Sequence, residues 1–456
     1  MDDIVIGSAV RTPIGSFNGS LASVTAPQLG GLVLAEALRR AHLEPAHVDE
    51  VYLGNVITAG MGMAPARQAA LAAGLPESVG ATLINKVCGA ALKAVTMGAQ
   101  AIRSGDAEII VAGGMESMSR APYLLDKART GYRLGHGQLL DSMIHDGLWD
   151  VLSDMHVGMC GELCAERYKL SREEQDRYAL QSYMRALTAQ REGQFQAEII
   201  PVPVAGRKGE ITLMEDDEEP NRLALEKIPT LKPVFKEGGT ITPANAPSVN
   251  DGAAAVTMLS GKRAAQLGIT PLARIVGYAQ AALAPEWFTI APAEAVNQVL
   301  KKTGLTTDDI DLFEINEAFA AVALANMDIL GLTEDRVNVK GGVVALGHPI
   351  GATGARVLTT LLYLMRTSLW AALSTATGTA GPTRAVHGLP RRWRGNRAHR
   401  GEGLSRSGSS QSGWKEWEDT AEVPNGEVYR SCEFWCSSSS TFPFSSSIVR
   451  RNDPKA

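Results

Sequence analysis

No stretch of the 456 residues stays apolar over the ~18 positions that a membrane span requires, so the sequence excludes a membrane-embedded reading. Cysteine is scarce: Cys88, Cys160 and Cys164 fall in the regular part of the chain, and Cys432 and Cys436 lie near its end. Five such residues make no disulfide framework and point to a reducing compartment. Net charge is also low. Forty-four basic residues against 49 acidic ones leave −5, which gives no reason to expect a nucleic acid as the main partner. The opening residues, MDDIVIGSAVRTPIG, contain no basic segment, apolar run or Arg/Ser-rich amphipathic stretch of a targeting signal, and a cytoplasmic location is expected.

What the chain does have is alternation. "DIVIGSAV" and "EVYLGNVI" read as strands, and "APQLGGLVLAEALRRAHL" between them has helical periodicity. "GAALKAVTMGAQAIRSG" is helical again and leads into "AEIIVAGGMES", a buried strand closed by a glycine turn. The pattern predicts a layered α/β protein. Residues 121–268 are more irregular, with an acidic loop "EDDEE" and one strong helix that Ser171 and Glu174 open as a capping box. They read as an insertion. A repeat frames it: "LRRAHLEPAHVDEVYLGN" (38–55) aligns with "LKKTGLTTDDIDLFEINE" (300–317), Leu38 opposite Leu300, Val48 opposite Ile310 and Leu53 opposite Ile315. Two related halves are expected on either side.

Three constellations carry chemistry. In "NKVCGAALKA", Cys88 sits at the mouth of a helix, where unpaired N–H groups and the positive dipole end favour thiolate. In "GGVVALGHPIGATGAR", His348 lies in a glycine-dense turn before another helix; no G-K-[ST] follows, so it is not a phosphate loop. In "EINEAFAAVALAN", Asn316 and Glu317 join a buried strand to an apolar helix. Each has a structural reading alone: a core cysteine, a turn histidine, a polar cap. All three stand where a strand ends or a helix begins, which is where α/β layers place active sites.

In order along residues 1–366, "VRTPIGSFNGSL", "INKVCGAALKA", "VAGGMESMS", "VNDGAAA", "EINEAFA" and "GGVVALGHPIGATGAR" make the chain resemble the thiolase family, its acetyl-CoA acetyltransferase group. The resemblance implies an α/β thiolase fold of two βαβαβαββ-type halves in five layers, with an inserted loop domain. It divides the chain into an N-terminal half (1–120), a loop region that binds coenzyme A (121–268), an incomplete C-terminal half (269–366) and a disordered tail (367–456). It also implies a homodimer or homotetramer with no permanently bound cofactor and no metal, nucleic-acid or membrane partner. The substrates would be acetyl-CoA, acetoacetyl-CoA and coenzyme A, or longer 3-ketoacyl-CoA thioesters. Cys88 would take the acyl group, His348 would activate Cys88 and help hold a thioester oxygen, and Asn316 would position a water in an oxyanion site. The glycine-turn backbone would add another oxyanion donor, and His156, Arg222 and Ser248 would contact coenzyme A. A decarboxylating ketoacyl synthase of the same fold fits less well, because the "NEAFA" and "GHPIG" pairing argues against it.

The chain departs from the family pattern in several places. Val157 stands where many members carry Met, Pro247 where many carry Ser, and Ala90 and Ala91 where Ser-Gly is common. A larger departure follows residue 366. The duplication demands a strand and glycine turn there, and the resemblance demands a second cysteine in a Cys-x-Gly turn as the base for a weakly acidic α-proton. No Cys-x-Gly follows His348, five of the seven tryptophans lie beyond residue 366, and six arginines fall between Arg391 and Arg406. That basic run could serve nucleic acid only on composition. Under one permitted codon choice, residues 388–403 read one base later contain Cys-Leu-Gly-Gly-Gly, the turn that is wanted. The expectation is a reading frame lost between about residues 366 and 388. Sequencing the transcript across codons 360–405 should find GGC-type triplets in the shifted frame under residues 388–403; their absence would reject the shifted frame.

Overall fold

The computed structural model describes residues 3–206, 208–377, 430–434 and 446–450, with side chains up to residue 366. One ten-stranded mixed sheet runs through it. Its strands are β1 (Ile4–Arg11), β2 (Gly15–Ser16), β3 (Glu50–Gly54), β4 (Gly80–Ile84), β5 (Ile109–Ser117), β6 (Asn250–Ser260), β7 (Ala273–Ala279), β8 (Leu312–Ile315), β9 (Arg430–Phe434) and β10 (Ser446–Arg450). They are ordered β8-β9-β10-β7-β1-β6-β5-β3-β4, with β2 on β6. The first half pairs β3 parallel to β5, β5 antiparallel to β6, and β6 antiparallel to β1. The second repeats the scheme with β8, β9, β10 and β7. β1 also pairs with β7, which joins the halves.

The helices explain the layers. α1 (Ala26–Arg40) opens with a capping box of Thr25 and Gln28, and α2 (Pro65–Ala72) follows β3. Both cover one face of the first half, where Leu29, Val33 and Leu34 pack with Val51, Leu53 and Val111. α3 (Ala90–Ser104) takes the other face. There Leu92 and Val95 meet Val357 and Leu358 of the last helix over Ile6, Ile110 and Met258. The long helices of the loop region are α4 (Val157–Arg167) and α5 (Arg172–Arg191), and the expected Ser171–Glu174 box opens α5. α6 (Ala291–Thr303) and α7 (Ala320–Leu330) close the outer face of the second half, and α8 (Thr353–Thr377) lies at the centre beside α3.

The repeat is visible as matched elements. The short helix Pro45–His47 precedes β3 as Thr307–Asp309 precedes β8. Two stretches depart from the expected organisation. Asn250–Ser260, inside the region read as an insertion, is a central strand; its run of Ala, Val, Met and Leu is buried on both faces. Within the expected structureless tail, α8 continues to Thr377, and Arg430–Phe434 and Ser446–Arg450 are strands. β9 and β10 occupy the places of β5 and β6 in the second half, where the edges of β8 and β7 offer unpaired backbone groups. The basic run 391–406 and Cys436 lie outside the described residues.

A buried ion-pair cluster ties the loop region to β1. The Arg11 guanidinium, fully buried, donates to Glu198 Oε1 (2.6 Å) and to both Asp217 oxygens (2.7 and 2.9 Å). Removing the cation leaves two buried carboxylates without their partner. R11M should therefore lower the unfolding free energy by about 3–5 kcal/mol in denaturant titration, although Met fills similar volume.

Candidate active site

Cys88 lies in the tight turn between β4 and α3. Gly89 N–H bonds Lys86 C=O and Ala90 N–H bonds Val87 C=O, both at 3.0 Å. The turn forces Val87 to φ +46°, a conformation that costs a β-branched residue about 1–3 kcal/mol. The His348 turn is held from outside. Gly347 has φ +100°, and a Cβ there would meet Asn250 Oδ1 at 2.5 Å. That same oxygen accepts from His348 N–H (2.7 Å) and from Ser248 Oγ (2.8 Å). The two turns meet: His348 Nε2 lies 3.1 Å from Cys88 Sγ, and His348 Nδ1 lies 2.7 Å from Thr353 Oγ1.

Both partners are buried. Burial pushes the Cys88 thiol up to about 12; its own backbone N–H opposes this and the Glu116 charge adds to it. Burial, and then the Arg356 cation, push His348 down to about 3. Burial thus opposes the charged form of both partners, thiolate and imidazolium alike, and works against the help that the helix end gives to thiolate.

Glu116, near the end of β5, ties the loop after β3 to the His348 turn. Its carboxyl accepts from Val56 N–H (2.9 Å), Ile57 N–H (3.3 Å), Asn55 Nδ2 (2.7 Å) and Gly351 N–H (3.0 Å). A Cβ on residue 351 would sit 2.6 Å from Glu116 Oε2, so only glycine admits the contact. Burial pushes Glu116 up to about 8, and the N–H donors restrain the rise.

Asn316 directly follows β8 with its side chain fully buried, and neither its Oδ1 nor its Nδ2 has a partner among the described residues. Glu317 beside it is saturated: it accepts from Tyr178 Oη (2.8 Å), Ser182 Oγ (3.1 Å), Asn338 Nδ2 (2.8 Å) and Val344 N–H (2.8 Å). Glu317 is thus a structural anchor, and it leaves the Asn316 amide free for a bound oxygen or water.

A cavity of about 220 Å³ reaches Cys88 and His348. Its wall is largely apolar, with Leu148, Val157, Phe235, Phe288 and Phe319. His156 and Ser248 line it as well. His156 caps α4, its Nδ1 accepting from Gly158 N–H (3.0 Å), and its ring stacks on Phe235 at 4.8 Å. Arg222 is not in the wall; its exposed guanidinium pairs with Glu219 at 3.7 Å. Pro247 lines the cavity beside Ser248, while Ala90 and Ala91 are buried in the first turn of α3. Sequence reasoning gave no part to Glu116, Asn250 or Thr353, though each lies in a motif it singled out. Among the described residues no cluster of His, Cys, Asp or Glu could hold a metal ion, and no helix is long and apolar enough to cross a membrane.

Two family models match, the thiolase N-terminal domain over residues 4–262 and the thiolase C-terminal domain over 269–387. The chain is 52% identical over 366 residues to an acetyl-CoA acetyltransferase of Pseudomonas aeruginosa, covering 80% of this chain and 93% of the relative. It is 49% identical over 366 residues to a probable acetyl-CoA acetyltransferase of Dictyostelium discoideum, covering 80% and 88%. The crystal structure of the Bacillus anthracis acetyl-CoA acetyltransferase superimposes with a TM-score of 0.83 at 34% identity, covering 99% of both chains. The Acat5 thiolase from Ascaris suum, in complex with coenzyme A, superimposes with a TM-score of 0.80 at 36% identity, covering 99% and 100%.

The desolvation of the pair has a spectroscopic consequence. With the thiol pushed up to about 12, the ultraviolet thiolate band of wild type minus C88S should be absent at neutral pH and grow only in strong alkali. A band at neutral pH would instead reveal a thiolate–imidazolium pair.

Proposed function

The chain belongs to the thiolase family, and from that premise we propose that the Cys88–His348 pair performs its acyl transfer. The protein is an acetyl-CoA C-acetyltransferase, which interconverts two acetyl-CoA with acetoacetyl-CoA and coenzyme A. The observation that carries the site assignment is the 3.1 Å contact between nucleophile and base at the end of an apolar cavity.

His348 Nε2 takes the Cys88 thiol proton as sulfur attacks the thioester carbonyl carbon. Concerted transfer suits this pair, because burial disfavours a free thiolate and a free imidazolium alike. The carbonyl oxygen becomes an oxyanion, and Asn316 Nδ2, buried and without a partner among the described residues, is the donor assigned to it, through a water. The tetrahedral centre collapses, the coenzyme A sulfur leaves with the proton from His348, and the acetyl group remains on Cys88. His156, Ser248 and the aromatic wall take the arm of coenzyme A. Arg222 would reach the ligand only from the rim, since it pairs with Glu219 outside the wall. We read the enzyme as a cytoplasmic homodimer or homotetramer of lipid metabolism, on the resemblance of its motifs.

One observation favours a second reading. Condensation needs a base for the α-proton of the second acetyl-CoA, and no Cys-x-Gly turn follows His348. A chain of this kind would acylate Cys88 and stop. The two half-reactions separate the readings. Mass spectrometry after acetyl-CoA should find acetyl-Cys88, and absorbance should follow thiolysis of acetoacetyl-CoA. H348A should slow acylation by roughly 10²–10⁴-fold, and C88S should abolish it. Acylation without thiolysis selects the second reading; thiolysis surviving in C88S overturns both.

A further inference from the structure

Three short contacts run in line from the nucleophile. Cys88 Sγ lies 3.1 Å from His348 Nε2, His348 Nδ1 lies 2.7 Å from Thr353 Oγ1, and Thr353 Oγ1 lies 2.8 Å from Pro349 C=O. All the side chains involved are buried. At these separations two electronegative atoms need a proton between them, or their lone pairs repel.

The protons can be assigned from the far end. A carbonyl oxygen has none to give, so the proton between Thr353 Oγ1 and Pro349 C=O is the threonine's own. A hydroxyl has only one. Towards His348 the threonine oxygen can therefore only accept, and the proton in the 2.7 Å contact belongs to Nδ1. A neutral imidazole carries a single N–H, so Nε2 is left bare with its lone pair on Cys88 Sγ. We infer that Thr353 is a positioning residue that holds His348 in the Nδ1–H tautomer, the only neutral form able to take the Cys88 proton.

The alternative assignment fails at both ends. If the Thr353 hydroxyl pointed at Nδ1, its oxygen would face Pro349 C=O at 2.8 Å with no proton between them. Nε2 would then carry the N–H and present a donor to sulfur instead of a base. The fold keeps Thr353 in place. It opens α8, its backbone N–H also bonds Pro349 C=O (2.9 Å), and its branched Cβ restricts χ1. When Nε2 takes the thiol proton, the ring becomes imidazolium and keeps its Nδ1–H bond to Thr353. That proton returns to the departing coenzyme A sulfur, so Thr353 exchanges none and stays oriented through the cycle.

The inference rests on the reading of Cys88 and His348 as nucleophile and base, and its test separates the two. Nitrogen NMR of imidazole-labelled protein, with the His348 signal assigned by loss in H348A, should show Nδ1 protonated and Nε2 bare in the wild type. T353V keeps the shape without the hydroxyl and should slow formation of acetyl-Cys88 by roughly 10–100-fold. T353S keeps the hydroxyl and should restore both the rate and the tautomer. A wild-type ring protonated at Nε2, a T353V enzyme that acylates at the wild-type rate, or a T353S enzyme as slow as T353V overturns the role of Thr353. An H348A enzyme that acylates at the wild-type rate removes the underlying reading, and this inference with it. The NMR result needs no variant at Thr353, so a misfolded T353V leaves the tautomer decided.

Discussion

A buried sulfur 3.1 Å from a buried imidazole is the constraint that organises this molecule. Neither group can be charged cheaply where it sits, because burial raises the thiol and lowers the imidazole. Proton transfer between them creates both charges within one contact. It needs the atoms in line before substrate arrives. The residues that meet are 260 positions apart and come from different halves of the chain. Much of the surrounding architecture holds two turns in register.

That holding is done by polar groups in dry places. Glu116 gathers N–H donors from the β3 loop and from Gly351, so one side chain spans both halves. Asn250 fixes the His348 backbone and orients Ser248 in the cavity wall. Glu317 is consumed by four partners, and its neighbour Asn316 by none among the described residues. The contrast between these adjacent residues separates anchoring from function. A buried carboxylate must be satisfied to exist there, while an unsatisfied buried amide keeps its capacity for a ligand.

The second half of the sheet shows how strongly a topology demands its strands. β8 and β7 are separated by two strand widths, and β9 and β10 fill the gap in the pattern that β5 and β6 set in the first half. They come from a part of the chain that carries no Cys-x-Gly turn. Backbone pairing satisfies a sheet edge with many sequences, because the N–H and C=O groups are common to all residues. A base at a chosen atom cannot be supplied that way. Architecture and chemistry can thus part company, and the question of complete or half-reaction turns on side chains.

Much of the fold and site was legible without coordinates. The halves followed from the alignment of residues 38–55 with 300–317, and their matched short helices and strands bear it out. Cys88, His348 and Asn316 could be singled out as candidates because chemistry restricts which residue types stand at a strand end beside glycines, and the structure brings the first two within 3.1 Å. The strand character of Asn250–Ser260 was not, since a short buried apolar run has no period to distinguish it from other buried segments. Local order alone determined helix caps: Thr25 and Ser171 act on their immediate neighbours. Only the tertiary structure brought His348 to Cys88, put Glu116 between the halves, set the threonine behind the histidine and left Arg222 outside the cavity wall. Those properties depend on desolvation and on contacts between residues far apart in the chain, and both arise only when the chain is packed.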